Sequence, residues 1–277
     1  MKILNTVLIA ALCFSALSFG EAAKNDIEVI KIDDVHGDVS KWPPFLAAIR
    51  KGDVQQVEKL LKENPKRANA VVRVAKDVWR ARSPIIAYAV SLGSDDPKWQ
   101  LAPQVHVALL ELFLKYGAKL RTEIDGVQYF MENQIIQDAV GQSVSWKADD
   151  REQYLTKILS LLIKYGAQFN KEDRDYNAWA GVREPDLPFL KAFANNNLVD
   201  FNTKYEIYDD KGTLVKKTLL DIANLEYARE IRYLKEAQSS KEYSETDREA
   251  IVKRAQEQVN ARKAMVDYLE SRMKQSK

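Results

Sequence analysis

Cysteine is nearly absent from this sequence. The only one, Cys13, falls inside an apolar stretch at the N-terminus. A chain that loses that stretch folds without disulfides, and zinc sites built on cysteine are excluded. Histidine is almost as scarce. His36 and His106 are the whole supply, and they do not have the spacing of paired zinc ligands. A surplus of one charge is missing too. Lys+Arg 42 against Asp+Glu 40 give a net charge of +2, which argues against nucleic acid or an anionic membrane surface as partner. Low-complexity runs of the kind that mark disorder are lacking.

Groupings that carry catalysis fail in turn. Gly141-Gln142-Ser143-Val144-Ser145 lacks the closing glycine of a nucleophile elbow. Asp209-Asp210-Lys211-Gly212 lacks the ligand ladder and closing glutamate of a calcium loop. His36, with Asp33, Asp34 and Asp38 nearby, reads as part of a solvated polar arm, and His106 as a structural residue on or beside a helix. The sequence is therefore read as a non-enzyme with no cofactor and no metal.

What is present begins with residues 1–20. Lys2 is the only charge before Glu21, Ile3 to Leu17 is an apolar run, and Ser18-Phe19-Gly20 supplies small residues for cleavage. Charged start, apolar middle and small-residue exit make a secretory signal peptide. The run is short for a membrane span and no basic stop-transfer cluster follows, so no stable membrane insertion is expected after cleavage. Residues 21–42 form an extended or strand-like arm around Ile27, Val29, Ile30 and Ile32.

From residue 43 onward the chain, with 46% hydrophobic residues, has enough apolar material for a sizeable core. Pro44 to Lys51 is a short helix with Phe45, Ala48 and Ile49 on one stripe. Gly52 breaks it, Asp53 caps the next helix with Gln56 three residues on, and Val57, Leu60 and Leu61 recur at helical spacing. Neither helix is long enough to stand alone, so each needs neighbours on both sides. Later, Leu112 to Leu120 and Leu161 to Phe169 both read as an apolar helix end, Lys-Tyr, a Gly-Ala terminator (Gly117, Gly166) and an extended exit. Leu60→Ala and Leu162→Ala are each expected to cost about 2–5 kcal/mol.

These residues resemble the ankyrin repeat. Gly52, Val57, Leu60 and Leu61 match its register. Leu110, Phe113, Leu114, Gly117 and Ala118 match the second half of another unit, as do Leu159, Leu162, Ile163, Gly166, Ala167 and Asn170, while Thr218 to Ala223 matches a first helix. The resemblance implies an all-α, ankyrin-like helical repeat solenoid over 43–270, with short β-hairpin fingers and a long C-terminal helix pair, followed by a tail at 271–277. About five units are expected, at 43–65, 83–120, 131–170, 175–202 and 216–270; another α-solenoid is the alternative. The full Thr-Pro-Leu-His signature is absent, and Leu187 to Asn195 reads as either the first or the second helix of the fourth unit.

Polar insertions are expected at Ser94 to Gln104 and Ser143 to Gln153, each with an aspartate pair and a tryptophan, Trp99 or Trp146. The tryptophans either anchor a partner or fold back over the helix ends. Fingers are expected at Arg121 to Gln128 and Phe201 to Lys217. The C-terminal helices, breaking at Ser239-Ser240 and resuming at a Ser244 cap, read as a terminal cap or a dimerisation arm.

By resemblance to the family, the chain binds a protein partner through finger tips and first helices. The contact residues implied are Arg121, Glu123, Asp125, Lys204, Glu206, Asp209, Asp210 and Lys211, with Trp99 and Trp146. Export without disulfides suggests the periplasm. There the resemblance implies either an immunity protein that covers a secreted antibacterial toxin, for instance a lipase effector, or an accessory scaffold for another exported protein. A host-directed secreted effector is a third reading.

Overall fold

The computed structural model describes residues 27–33, 38–75, 82–91, 101–208, 212–240 and 244–275. Among these residues the chain is mostly helical, with ten α-helices and three small sheets. The expected signal peptide, Cys13, His36 and residues 94–100 of the first insertion, Trp99 among them, lie outside the described residues.

The arm is a strand, β1 (Val29–Ile32), which runs parallel to β2 (Val71–Val74) with Val29 opposite Val71. β2 in turn pairs antiparallel with β3 (Arg82–Pro84). Ile30 and Ile32 point into the core while Val29 stays exposed, as a two-residue period requires.

Between these strands lie α1 (Pro44–Lys51) and α2 (Val54–Glu63). Gly52 adopts φ 68, which lets the Asp53 amide reach back to the Ala48 carbonyl at 3.0 Å. The Asp53 carboxylate then accepts from the Gln56 amide at 3.0 Å and caps α2. Phe45, Ala48, Ile49, Val57 and Leu61 are buried as their spacing predicts. Leu60 is only half-buried, so the large penalty expected for Leu60→Ala is corrected: the core-facing leucine of α2 is Leu61.

A 3-10 turn at Ile85–Ala87 leads into α3 (Tyr88–Ser91), and α4 (Pro103–Lys115) follows. After Gly117 the chain forms the hairpin β4 (Arg121–Ile124) and β5 (Val127–Phe130), two residues longer than expected. α5 (Met131–Ser143) and α6 (Ala148–Lys164) come next. The insertion expected at Ser143 to Gln153 is therefore corrected to a joint of four residues, 144–147. Asp149 and Asp150 lie in the first turn of α6, where carboxylates favour the positive helix end.

α7 (Lys171–Arg183) and α8 (Leu187–Asn195) follow, which makes Leu187 to Asn195 the second helix of its pair. The hairpin β6 (Tyr205–Tyr208) and β7 (Leu214–Lys217) leads to α9 (Leu219–Ser239) and α10 (Glu245–Gln275). Thr218 and Asp221 close a reciprocal capping box on α9. The Ser244 hydroxyl accepts from the Asp247 amide at 3.2 Å at the start of α10. α10 continues to Gln275, past residue 270, where the repeat domain is expected to end, so most of the tail expected at 271–277 is helix.

The end of α8 repeats the ends of α4 and α6. At Gly117 and Gly166 the following alanine amide bonds the carbonyl five residues back, Ala118 to Phe113 at 3.0 Å and Ala167 to Leu162 at 2.9 Å. At Asn197, with φ 58, Leu198 bonds Phe193 at 3.0 Å. Asparagine is the side chain that best tolerates this left-handed position in place of glycine.

The helices pair in chain order, α1 with α2 through α9 with α10. The second helices form one row, α2 on α4, α4 on α6, α6 on α8 and α8 on α10; α1 packs on α3, α3 on α5, and α7 on α9. One apolar core runs from α1 to α6 and reaches α8, and a second joins α7, α8, α9 and α10. α8 serves both, giving Phe193 to the first and Leu190 to the second. No helix among the described residues is long and apolar enough to cross a membrane.

Candidate protein-binding surface

Pairing register decides which finger side chains meet solvent. In the β6–β7 finger, Tyr205 faces Lys217 and Ile207 faces Val215 on the half-buried side. The other side carries Glu206 opposite Lys216 and Tyr208 opposite Leu214. Tyr208 is 69% exposed and Leu214 53%. An aromatic and an aliphatic side chain thus stand as a cross-strand pair in water where β6 ends and β7 begins. Burying them against a partner would release apolar surface worth roughly 25 cal/mol per Å².

The β4–β5 finger turns at Asp125 and Gly126, both with positive φ (52 and 80), the geometry that matches strand twist. Ile124 is buried, and Val127 and Phe130 are 54% and 53% exposed. Two further exposed aromatics lie on first helices of their pairs, Tyr176 on α7 and Tyr233 on α9. Tyr176 sits 6.0 Å from the ring of Trp179, over which the Arg183 guanidinium lies at 5.0 Å.

Several charged residues expected at the interface are committed to the fold. Arg121 donates from Nε to Glu132 Oε1 at 2.9 Å and from Nη2 to the Gln168 carbonyl at 2.8 Å, and its guanidinium lies 5.5 Å over Phe130. Glu132 is buried, so this pair ties the finger to α5. Asp125 pairs with Arg73 at 3.8 Å, Glu206 with Lys216 at 3.3 Å, and Glu123 accepts from Gln128 at 2.6 Å. Lys204 is exposed. Asp209, Asp210, Lys211 and Trp99 lie outside the described residues. Trp146 is half-buried and packs 4.8 Å from the Tyr154 ring, beside a 580 Å³ cavity between the starts of α4 and α6. The residues that sequence reasoning passed over are the apolar ones, Val127, Phe130, Tyr176, Tyr208, Leu214 and Tyr233. Period-two alternation in the fingers was the signal available for Tyr208 and Leu214.

His106 lies behind Trp146 and Tyr154. It is fully buried, with Nδ1 3.2 Å from the Tyr154 hydroxyl and, among the described residues, no partner for Nε2. Burial pushes its pKa down to about 4 and pushes that of Tyr154 up. An unfolded chain protonates this histidine near pH 6.5, whereas the folded one resists until about pH 4. Its stabilising effect is thus complete above 6.5 and is lost as pH falls through that window. Stability at pH 5 is expected to lie about 1.5 kcal/mol below that at pH 6.5 from this residue alone. Urea unfolding of the wild type and His106→Gln at both pH values checks it. The variant should lose that part of the acid sensitivity, and an unchanged pH slope would contradict the assignment.

Among the described residues no group of three or more His, Cys, Asp or Glu side chains converges as metal ligands. No family model matches the chain, and neither the curated proteins nor the solved structures give a match.

Proposed function

We propose that this protein is an exported protein-interaction module, an ankyrin-like helical solenoid that binds its partner through finger tips and first helices. We further propose that it acts in the periplasm as an immunity protein, covering and neutralising a secreted toxin, without catalysis of its own. The observation that carries the binding reading is the solvent-exposed Tyr208–Leu214 pair, with Val127 and Phe130 exposed on β5 and Tyr176 on α7. Apolar anchors set among charged side chains suit the centre and rim of a protein interface. The repeat reading is supported by successive helix pairs, by the shared terminator at Gly117, Gly166 and Asn197, and by hairpins between pairs. The immunity and export readings rest on residues 1–20 and on the ankyrin resemblance.

The experiment is capture with the purified protein in a periplasmic extract, followed by an activity assay of the captured partner. The expected result is an enzyme that loses activity at one equivalent of this protein. A partner whose activity is unchanged or raised would overturn neutralisation in favour of a scaffold.

A further inference from the structure

A groove of about 520 Å³ opens beside the β4–β5 finger, between it and the turn that follows α2. Its size is that of a site for a small molecule or a short peptide. Lys66 enters from the turn after α2, Lys119 from the turn after α4, and Arg121 from β4. Asn69 fixes the relation between the two turns. Its side-chain amide donates to the Gly117 carbonyl at 2.9 Å, and its Oδ1 accepts from the Lys119 amide at 2.8 Å. The Arg73–Asp125 pair ties the finger to β2. Lys66 and Lys119 are therefore carried on clamped backbone.

The charges in the groove are unequal in their commitments. Arg121 is neutralised by Glu132, and the one carboxylate in the lining, Glu123, already accepts from Gln128. Among the described residues, neither Lys66 nor Lys119 has a carboxylate partner. Against the single carboxylate of Glu123, the two ammonium groups leave the lining with a surplus of positive charge, and a concave positive site attracts carboxylates. Ile27 provides an aliphatic wall, which suits a peptide better than a bare anion. The net charge of +2 provides no wider field for nucleic acid.

We infer that this groove receives an acidic segment of the protein partner, its carboxylates on Lys66 and Lys119. The inference rests on the binding reading above and adds the partner's chemistry at one end of the surface.

The test is fluorescence anisotropy of the purified protein with a labelled hexapeptide of four glutamates and two valines, against the same peptide with glutamine for glutamate. The glutamate peptide should bind saturably and the glutamine peptide should not. Lys66→Glu/Lys119→Glu should weaken binding at least tenfold, as should raising the salt from 50 to 500 mM. Both lysines are exposed, so the variant should melt with the wild type. Equal binding by the double variant, or no binding by the wild type, overturns the inference. Displacement by inorganic phosphate at the peptide's own concentration overturns it in favour of a simple anion site. A dimer in sedimentation that the double variant dissociates overturns it in favour of a second copy. Capture of the partner separates this from the reading it rests on. If the charge reversal leaves capture intact while Tyr208→Asp/Leu214→Asp abolishes it, the groove falls and the finger surface stands. If wild type captures nothing, the binding reading itself falls.

Discussion

Arg151→Ala is expected to cost about 3–5 kcal/mol of folding stability, because it strands a carboxylate in the interior. Arg151 Nη2 donates to Asp186 Oδ2 at 2.6 Å, with side chains only 11% and 13% exposed. Its Nε donates to Ser143 Oγ at 3.2 Å, and that hydroxyl donates to the Ala139 carbonyl at 2.7 Å. Asp186 accepts from the Phe189 amide at 3.2 Å and caps α8. One guanidinium thus links the end of α5, the start of α6 and the cap of α8. Burial raises the Asp186 pKa, and the Arg151 charge pulls it back. Removing Arg151 leaves the burial opposed only by the Phe189 amide. Asp186→Asn in the Arg151→Ala background should recover much of the loss, since asparagine still caps but carries no charge. Urea denaturation of the four proteins measures the coupling. Additive losses would show that the pair contributes little.

Leu162→Ala is expected to cost about 2–5 kcal/mol, the range for a buried leucine whose site cannot collapse. Leu162 is fully buried on α6, which packs against α4, α5 and α8, so three neighbours hold the cavity open. Its carbonyl also accepts the Ala167 amide at the helix end. Leu60→Ala, at a half-buried position, should cost about 1–2 kcal/mol. The midpoint in urea should move with an unchanged slope for both. Equal losses would mean that the packing of α2 or α6 is misassigned.

The sequence was legible where a stripe and a terminator coincide. Phe45, Ala48 and Ile49 end at Gly52, and α9 and α10 break at Ser239 and resume at Ser244, where their residues indicate. It was silent at the fourth pair. α7 buries only Ala178, Gly181 and Val182, too few for a helical stripe, and α8 stops at Asn197 instead of glycine. The joint before α6 misled because Asp149 and Asp150 serve a helix start as readily as a loop.

The surface was harder to read than the fold. Charged finger residues looked free because their partners are distant in sequence: Arg73 for Asp125 and Gln168 for Arg121. Alternation in Tyr205 to Tyr208 was visible, but which side faces water depends on how the finger leans against the helices. The groove at Lys66 and Lys119 depends on Asn69 reaching Gly117 across two turns, which no local pattern encodes.

The central claim is that finger side chains hold the partner. The direct measurement is calorimetric titration of the captured partner into wild type and Tyr208→Asp/Leu214→Asp. The account predicts at least a hundredfold weaker binding by the variant, with thermal stability unchanged. Equal affinity for both proteins would contradict it.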